Sequence, residues 1–156
     1  MKKTVCRSGM TLVEVLMTVT IIAVLSAVLM PAISMATRHR ENLQAADRLR
    51  TAVSAFELYA EERGVYPTDK TPGVIPPEMS TYYFPYFKID WWGETTPIGG
   101  NWDWDAGYRF AYSISIHAPA RGVKQLTDFD ALIDDGNLAT GKFRGVGNHY
   151  HYILEE

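Results

Sequence analysis

Glu14 is the residue whose position in this sequence most needs a chemical explanation. It is the only ionisable side chain between Met10 and Thr37. A carboxylate in such an apolar segment is costly unless it is paired, so it indicates a function and a partner. No basic residue lies within the segment, so the positive charge must come from elsewhere. If the chain were cut after Gly9, the new α-amine of Met10 in a neighbouring copy could pair with Glu14. Pairing within one chain is weaker, because four helical residues place the two groups about 6 Å apart along the axis.

Two pairs of residues could contribute to a metal site. Asp103 and Asp105 are two residues apart, which can present both carboxylates on one side of an extended segment. We expect a solvated loop there rather than a cation site. His149 and His151 have the same spacing on a predicted strand and therefore face one side of it, as a metal pair would. Without a third ligand we expect a surface pair, and the sequence predicts no metal site.

A second acidic cluster lies closer to the carboxyl terminus. Its members are Asp128, Asp130, Asp134 and Asp135, followed by Gly136 and Asn137. They do not fit an EF-hand loop, which needs oxygen ligands at alternate positions ahead of its glycine.

Four tryptophans flank a stretch rich in glycine and proline. They are Trp91, Trp92, Trp102 and Trp104. If exposed, they could stack on sugars or contact other proteins, so they are candidates for a partner or ligand surface. The alternative is that they fold inward as a small cluster beneath a loop.

The motifs that the sequence lacks, together with its net charge, exclude several classes of protein. The sequence has no nucleophile–base motif, phosphate loop or zinc-ligand spacing, so it predicts no enzyme and no cofactor. The net charge of −3 gives no basic footprint for nucleic acid.

The apolar segment predicts a membrane-spanning helix. It runs from Met10 to Pro31, and about 20 residues suffice to cross a bilayer. Residues 1–9 form a basic leader with Lys2, Lys3 and Arg7. An ordinary signal peptide cleaved between Ser26 and Ala36 is the alternative, but it leaves Glu14 unexplained.

Helical periodicity continues after Pro31 and predicts one helix over residues 11–63. Gly64 is placed to end this helix, with Pro67 blocking its continuation. Pro31 should weaken the helical hydrogen bonds locally. One apolar stripe should pack on a globular domain; it consists of Leu43, Ala46, Leu49, Val53, Phe56 and Tyr59 with Ala60.

Residues 64–156 are predicted to form loops and strands. A short helix is predicted near Glu78–Phe84. Alternating residues predict strands over Tyr108–Ile116, Lys142–Val146 and His149–Leu154, the last two joined by a hairpin turn. The predicted fold class is α+β, with a long amino-terminal helix packed against a small antiparallel sheet of three or four strands.

The residues from Gly9 to Glu14 resemble the cleavage and methylation motif of type IV pilins and type II secretion pseudopilins. That pattern is a short basic leader, a glycine, an apolar first residue and a glutamate fifth after the cut. Met10 stands where phenylalanine is more usual, and Pro31 lies where these proteins commonly carry a proline. The exit Gly64–Thr68 is similar to that of major pseudopilins, with Tyr66 and Pro67 folding back onto the helix. Residues 133–141 resemble a segment just before the last strands of pilin-like proteins, and this resemblance implies a transition from helix to turn there. The calcium-loop pattern of major pseudopilins is not found.

The resemblance implies a bacterial precursor held in the inner membrane with its leader in the cytoplasm. A prepilin peptidase would cut after Gly9, Met10 would be N-methylated, and Glu14 and Pro31 would serve assembly. The implied partners are other copies in a helical filament, an inner-membrane assembly platform, and minor pilins or pseudopilins. The implied product is a type IV pilus on the cell surface or a type II secretion pseudopilus in the periplasm.

The predicted organisation has three parts: the leader (1–9), an apolar assembly helix (10–37), and a periplasmic or extracellular domain (38–156). The domain combines a helical half (38–63) with a loop and sheet region (64–156). One rival function is a singly anchored carbohydrate-binding or other interaction module using the four tryptophans. The other is a secreted enzyme with a soluble mature form.

Overall fold

A computed structural model describes residues 9–156 of the chain. The chain divides into an amino-terminal unit that ends at Thr37 and a carboxyl-terminal unit that spans Arg38–Glu156. The predicted basic leader, apart from Gly9, lies outside the described residues. Helix α1 covers Leu12–Arg63 and therefore contributes to both units.

The amino-terminal unit is helical from Leu12 onward. The helix continues through Pro31 without a break in its assignment. A proline removes only one backbone donor, so the neighbouring hydrogen bonds can carry the helix past it. The other end of α1 matches the prediction: Gly64 has φ of +72°, and its N–H donates to Ala60 O at 2.8 Å. A glycine in this left-handed conformation is a common helix stop.

The inward face of α1 in the carboxyl-terminal unit differs in part from the predicted stripe. Ala46, Leu49, Phe56 and Tyr59 are buried as predicted, but Leu43 is 48% exposed. The inward position is taken by Asn42, whose Nδ2 donates to Gln125 O at 3.1 Å while its Oδ1 accepts from Gln125 Nε2 at 3.1 Å. A pattern of apolar residues does not identify such a position, because an amide side chain is buried only where hydrogen-bond partners satisfy it.

Four antiparallel strands form one sheet in the order β1–β2–β4–β3. Their bounds are Asn101–Ala106 (β1), Tyr112–His117 (β2), Phe143–Val146 (β3) and His149–Glu155 (β4). The structure thus confirms the α+β class, with a long amino-terminal helix packed against an antiparallel sheet. It also confirms the carboxyl-terminal hairpin.

Helix α4 (Val123–Ile133) connects β2 to the hairpin, and two short helices follow α1. These are α2 (Pro77–Ser80) and α3 (Tyr83–Phe87), which cover the region of the predicted short helix. A 3₁₀ turn over Asp90–Gly93 then leads toward β1.

Two predictions about the sheet are corrected. Asn101–Ala106, expected as a loop, is β1. The predicted strand over Tyr108–Ile116 starts only at Tyr112, because Gly107 (φ +81°) turns the chain and its N–H donates to Ala111 O at 3.0 Å. Phe110 therefore does not join the apolar face and lies with its ring centroid 5.5 Å from that of His151.

The two faces of the sheet differ in chemistry. One face carries Trp102 and Trp104 on β1 and Ile114 and Ile116 on β2, all buried in the core. Phe56 of α1 stacks on Trp104 with ring centroids 4.1 Å apart. Because successive side chains alternate between faces, the other face carries aspartate, serine and histidine. The apolar core thus lies on one side of the sheet, and polar side chains, several of them buried, lie on the other.

Candidate functional site

Glu14 closes a reciprocal hydrogen-bonded cap at the start of α1. Its Oε2 accepts from Thr11 N and from Thr11 Oγ1, each at 2.8 Å, and Thr11 Oγ1 accepts from Glu14 N at 3.3 Å. Threonine at the cap and glutamate three residues later form a capping box, which satisfies backbone donors that the first turn leaves free. The T-x-x-E spacing was visible in the sequence, but the local role of Thr11 was missed. Glu14 therefore has a local partner within its own chain.

The first half of α1 is apolar and exposed. An 18-residue window in this helix has a mean hydropathy of 2.5, and none of it is buried within the chain. The helix is long and apolar enough to cross a membrane, a property that signal sequences share. Large side chains on all sides are uncovered, with Leu12 85% and Met30 71% exposed. A helix that is apolar all round needs a lipid or protein environment.

The predicted tryptophan surface is corrected by burial. Trp92, Trp102 and Trp104 are at most 1% exposed and belong to the main core, not to a satellite cluster beneath a loop. Trp91 is half-buried, and the guanidinium of Arg48 lies 5.1 Å from its ring centroid. Three of the four side chains therefore offer no surface for stacking on a sugar.

The acidic cluster builds the turn between α4 and β3. Asp134 Oδ2 accepts from the backbone N–H groups of Lys142 and Phe143. Asp135 accepts from Asn137 N at 2.8 Å and Thr140 Oγ1 at 2.6 Å. Three carboxylates, those of Asp130, Asp134 and Asp135, each place an oxygen within 4.8 Å of the others.

Asp130 is the buried member of this cluster. It is fully buried, and neither of its carboxylate oxygens has a hydrogen-bond partner among the described residues. Burial, together with the nearby charges of Asp135 and Asp134, raises the pKa of Asp130 to about 6. The cluster thus contains two carboxylates that accept hydrogen bonds within the turn, and one, that of Asp130, whose raised pKa favours the neutral form.

The polar face of the sheet holds the predicted aspartate and histidine pairs, and it corrects both expectations. Asp103 and Asp105 lie on β1 and are only 4% and 6% exposed, so they are not in a solvated loop. His151 is fully buried and His149 half-buried, so they are not a surface pair. Phe110, in the turn between β1 and β2, packs edge-on against His151.

An open cleft of about 630 Å³ lies over this polar face. We call it the aspartate–histidine cleft. Asp103, Asp105, His117 and His149 line it, together with Tyr108 and residues 69–72. His117 and Asp69 were not singled out in the sequence, because only the strand register brings His117 beside His149.

The groups in the aspartate–histidine cleft shift one another's ionisation. Burial, with Asp105 close by, raises the pKa of Asp103 to about 8. Burial acts in the same direction on Asp105, but contacts with His151 and Ser115 outweigh it and lower the pKa of Asp105. His151 Nδ1 lies 3.4 Å from Asp105 Oδ2 and 3.1 Å from Ser113 Oγ. Burial and the neighbouring His117 lower the pKa of His149, which favours its neutral imidazole.

Comparison with known protein families identifies the amino-terminal segment. Residues 6–30 match the family described as the prokaryotic N-terminal methylation motif. Comparisons with curated proteins and with solved structures gave no match. The matched residues include Gly9, Met10 and the Thr11–Glu14 cap, and they end one residue before Pro31. The amino-terminal part of this chain is therefore a prokaryotic N-terminal methylation motif, which is typical of type IV pilins and pseudopilins.

Proposed function

We propose that the chain is a structural subunit of a type IV pilus or type II secretion pseudopilus. In this proposal a prepilin peptidase cuts the precursor after Gly9, and the new amine of Met10 is methylated. The methylation-motif match over residues 6–30 is the observation that carries the proposal. The long, exposed apolar helix that follows supports it.

The exposed apolar surface explains why such a subunit would be membrane-bound first and polymeric later. Side chains such as Ile22, 61% exposed, would face lipid in an inner-membrane precursor. When the helix leaves the bilayer, the same surface must be covered by other copies. Each large apolar side chain left in water would cost about 1.5–3 kcal/mol. The proposed partners are the peptidase, an inner-membrane assembly platform, and other pilin or pseudopilin subunits.

Glu14 is proposed to set the register between copies. Its Oε2 holds the Thr11 cap, while its Oε1 accepts no hydrogen bond among the described residues. The carboxylate can therefore keep its cap and offer Oε1 to the Met10 amine of a neighbouring subunit. A subunit docked in the wrong register would bury an unpaired charge, which is strongly unfavourable.

Replacing Glu14 by glutamine removes the negative charge but keeps a side chain that can cap the helix. Glutamine can also close a capping box, so Glu14→Gln should leave insertion and cleavage after Gly9 unchanged. Assembly should fall sharply, because the Met10 amine would enter an apolar core without a counter-charge. The measurement is the amount of sheared or purified filament relative to the amount of cleaved subunit in the membrane.

Thr11→Ala is the matched control. It removes the hydroxyl of the cap, at a cost of about 1 kcal/mol to the helix end, but keeps the carboxylate. We expect it to retain most of the filament yield. Wild-type yield from Glu14→Gln would contradict the pairing mechanism, and Glu14 would then act through the cap or the peptidase.

The carbohydrate-binding alternative has no comparable support. It depends on exposed tryptophans, and Trp92, Trp102 and Trp104 lie in the core. No second function is therefore proposed for that region.

A further inference from the structure

The turn between α4 and β3 brings three carboxylates to one point. Asp130 lies close to the end of α4, and Asp134 and Asp135 directly follow this helix. Each of the three contributes an oxygen that lies within 4.8 Å of the oxygens of the other two. Two oxygens bound to the same Ca²⁺ ion can be up to about 5 Å apart, because Ca–O distances are about 2.3–2.6 Å. The spacing therefore suits three ligands of one ion.

Asp130 is the member of this group whose environment most needs a ligand. Its side chain is fully buried, and neither carboxylate oxygen accepts a hydrogen bond from the described residues. The nearby N–H of Asn137 donates instead to Asp135 Oδ1, at 2.8 Å. A buried charged group is normally paired or coordinates a metal, since its loss of hydration is otherwise uncompensated. Because one of its oxygens belongs to the three-carboxylate group, this unpartnered side chain points at the place where an ion would bind.

The chain supplies no cation that pairs directly with these carboxylates. Within residues 9–156, none of the ion pairs includes a member of the group. Arg144 contributes positive charge near Asp135, but its guanidinium donates to Gly141 O at 2.7 Å and to Glu156 Oε1 at 2.8 Å. Like charges that share a site repel one another. A bound cation would therefore lower the free energy of the folded chain.

We propose that Asp130, Asp134 and Asp135 bind one Ca²⁺ ion, which ties the end of α4 to the start of β3. The hydrogen bonds of the turn leave this binding possible, because each carboxylate oxygen has more than one lone pair. Asp134 Oδ2 accepts from the backbone N–H groups of Lys142 and Phe143, so its carboxylate links the ion to the first residue of β3. Asp135 is exposed, which gives the ion a route from solvent.

The ligand chemistry favours Ca²⁺ over other divalent ions. The group consists of carboxylates, without the imidazole or thiolate that would select a transition metal. Mg²⁺ demands near-octahedral geometry and is usually held by only one or two carboxylates. Ca²⁺ accepts irregular geometry and about six to eight oxygen ligands, so water and backbone carbonyls would complete its coordination. The residues do not follow the calcium-loop pattern of major pseudopilins, so this is a different site.

The test is titration of the full chain with CaCl₂, followed by calorimetry and by melting temperature. The chain is purified in detergent, and bound ions are removed with EDTA, which is then exchanged out. We expect one Ca²⁺ per chain with a dissociation constant of about 10⁻⁴–10⁻³ M, the range of extracellular calcium modules. The melting temperature should be higher in Ca²⁺ than in EDTA, and Mg²⁺ at the same concentration should raise it less.

Asp130→Asn is the decisive variant, because it keeps the shape of the buried side chain and removes its charge. In EDTA it should have a wild-type circular dichroism spectrum and a melting temperature at least equal to that of the wild type, since one of three repelling charges is gone. It should bind Ca²⁺ at least about tenfold more weakly, a loss that even supporting groups around a metal site produce. Asp135→Asn should weaken binding in the same way.

Two variants control for binding elsewhere on the chain. Asp128→Asn removes an exposed carboxylate from the same helix, and Asp103→Asn alters the pair of buried aspartates on β1. Neither should change the affinity for Ca²⁺. The proposal is overturned if the wild-type chain binds no Ca²⁺ at about 10 mM, if it prefers Mg²⁺, if folded Asp130→Asn binds as the wild type does, or if folded Asp103→Asn no longer binds.

Discussion

Asp130 is a residue whose ionisation should oppose folding. Its folded-state pKa of about 6 lies above the ordinary value of 3.8. A raised carboxylate pKa means that the folded state holds the proton more tightly than the unfolded state. The resulting stability is fully present below about pH 4 and is lost as the pH rises through 6.

We therefore expect Asp130→Asn to raise the free energy of unfolding at pH 7 by about 1–3 kcal/mol, since one pKa unit corresponds to about 1.4 kcal/mol. It should also flatten the pH dependence of stability between pH 4 and 7. Denaturant unfolding of residues 38–156 at several pH values measures both effects. Asp128→Asn is the control, because its exposed ion pair with Lys124 should contribute less than about 1 kcal/mol. A destabilised Asp130→Asn chain at pH 7 would show that the charged carboxylate has a stabilising partner.

At the scale of single elements, the packing of α1 on the sheet centres on Phe56. Its ring is fully buried, stacks on Trp104, and lies 5.6 Å from Trp92. Phe56→Ala should lower the free energy of unfolding by about 3–5 kcal/mol, as large aromatic truncations in a core do.

Leu43→Ala supplies the matched control on the same helix. Leu43 is 48% exposed, so its truncation should cost less than about 1 kcal/mol. Denaturant midpoints of the two variants, with unchanged slopes, make the comparison. Equal effects would mean that the helix face is rotated from the one described.

The elements also show where sequence reasoning succeeds and where it fails. The hairpin of β3 and β4 was predicted because alternating residues flank a short glycine-containing turn. β1 was missed because Trp102, Asp103, Trp104 and Asp105 alternate in a stretch dominated by glycine and proline signals. Because the aspartates of β1 are polar, their burial was not predicted. Their burial depends on the pairing of β1 with β2, which local sequence does not show.

At the scale of the whole molecule, the two units differ in how far their features could be predicted from the sequence. In the amino-terminal unit, the methylation motif and the helix were predicted from local sequence, because the motif is short and contiguous. The aspartate–histidine cleft could not be assembled that way, because His117 and His149 meet only through strand register. Asp103 also reaches the cleft from a third strand.

The mass of the mature amino terminus tests the central claim most directly. We expect the chain isolated from membranes or filaments to begin at Met10 and to carry one additional methyl group on its amine. Gly9→Val should retain residues 1–9, because a side chain at that position should not fit a tight peptidase site. A mature chain that begins between Ser26 and Ala36, or one that still begins at Met1, would contradict the account.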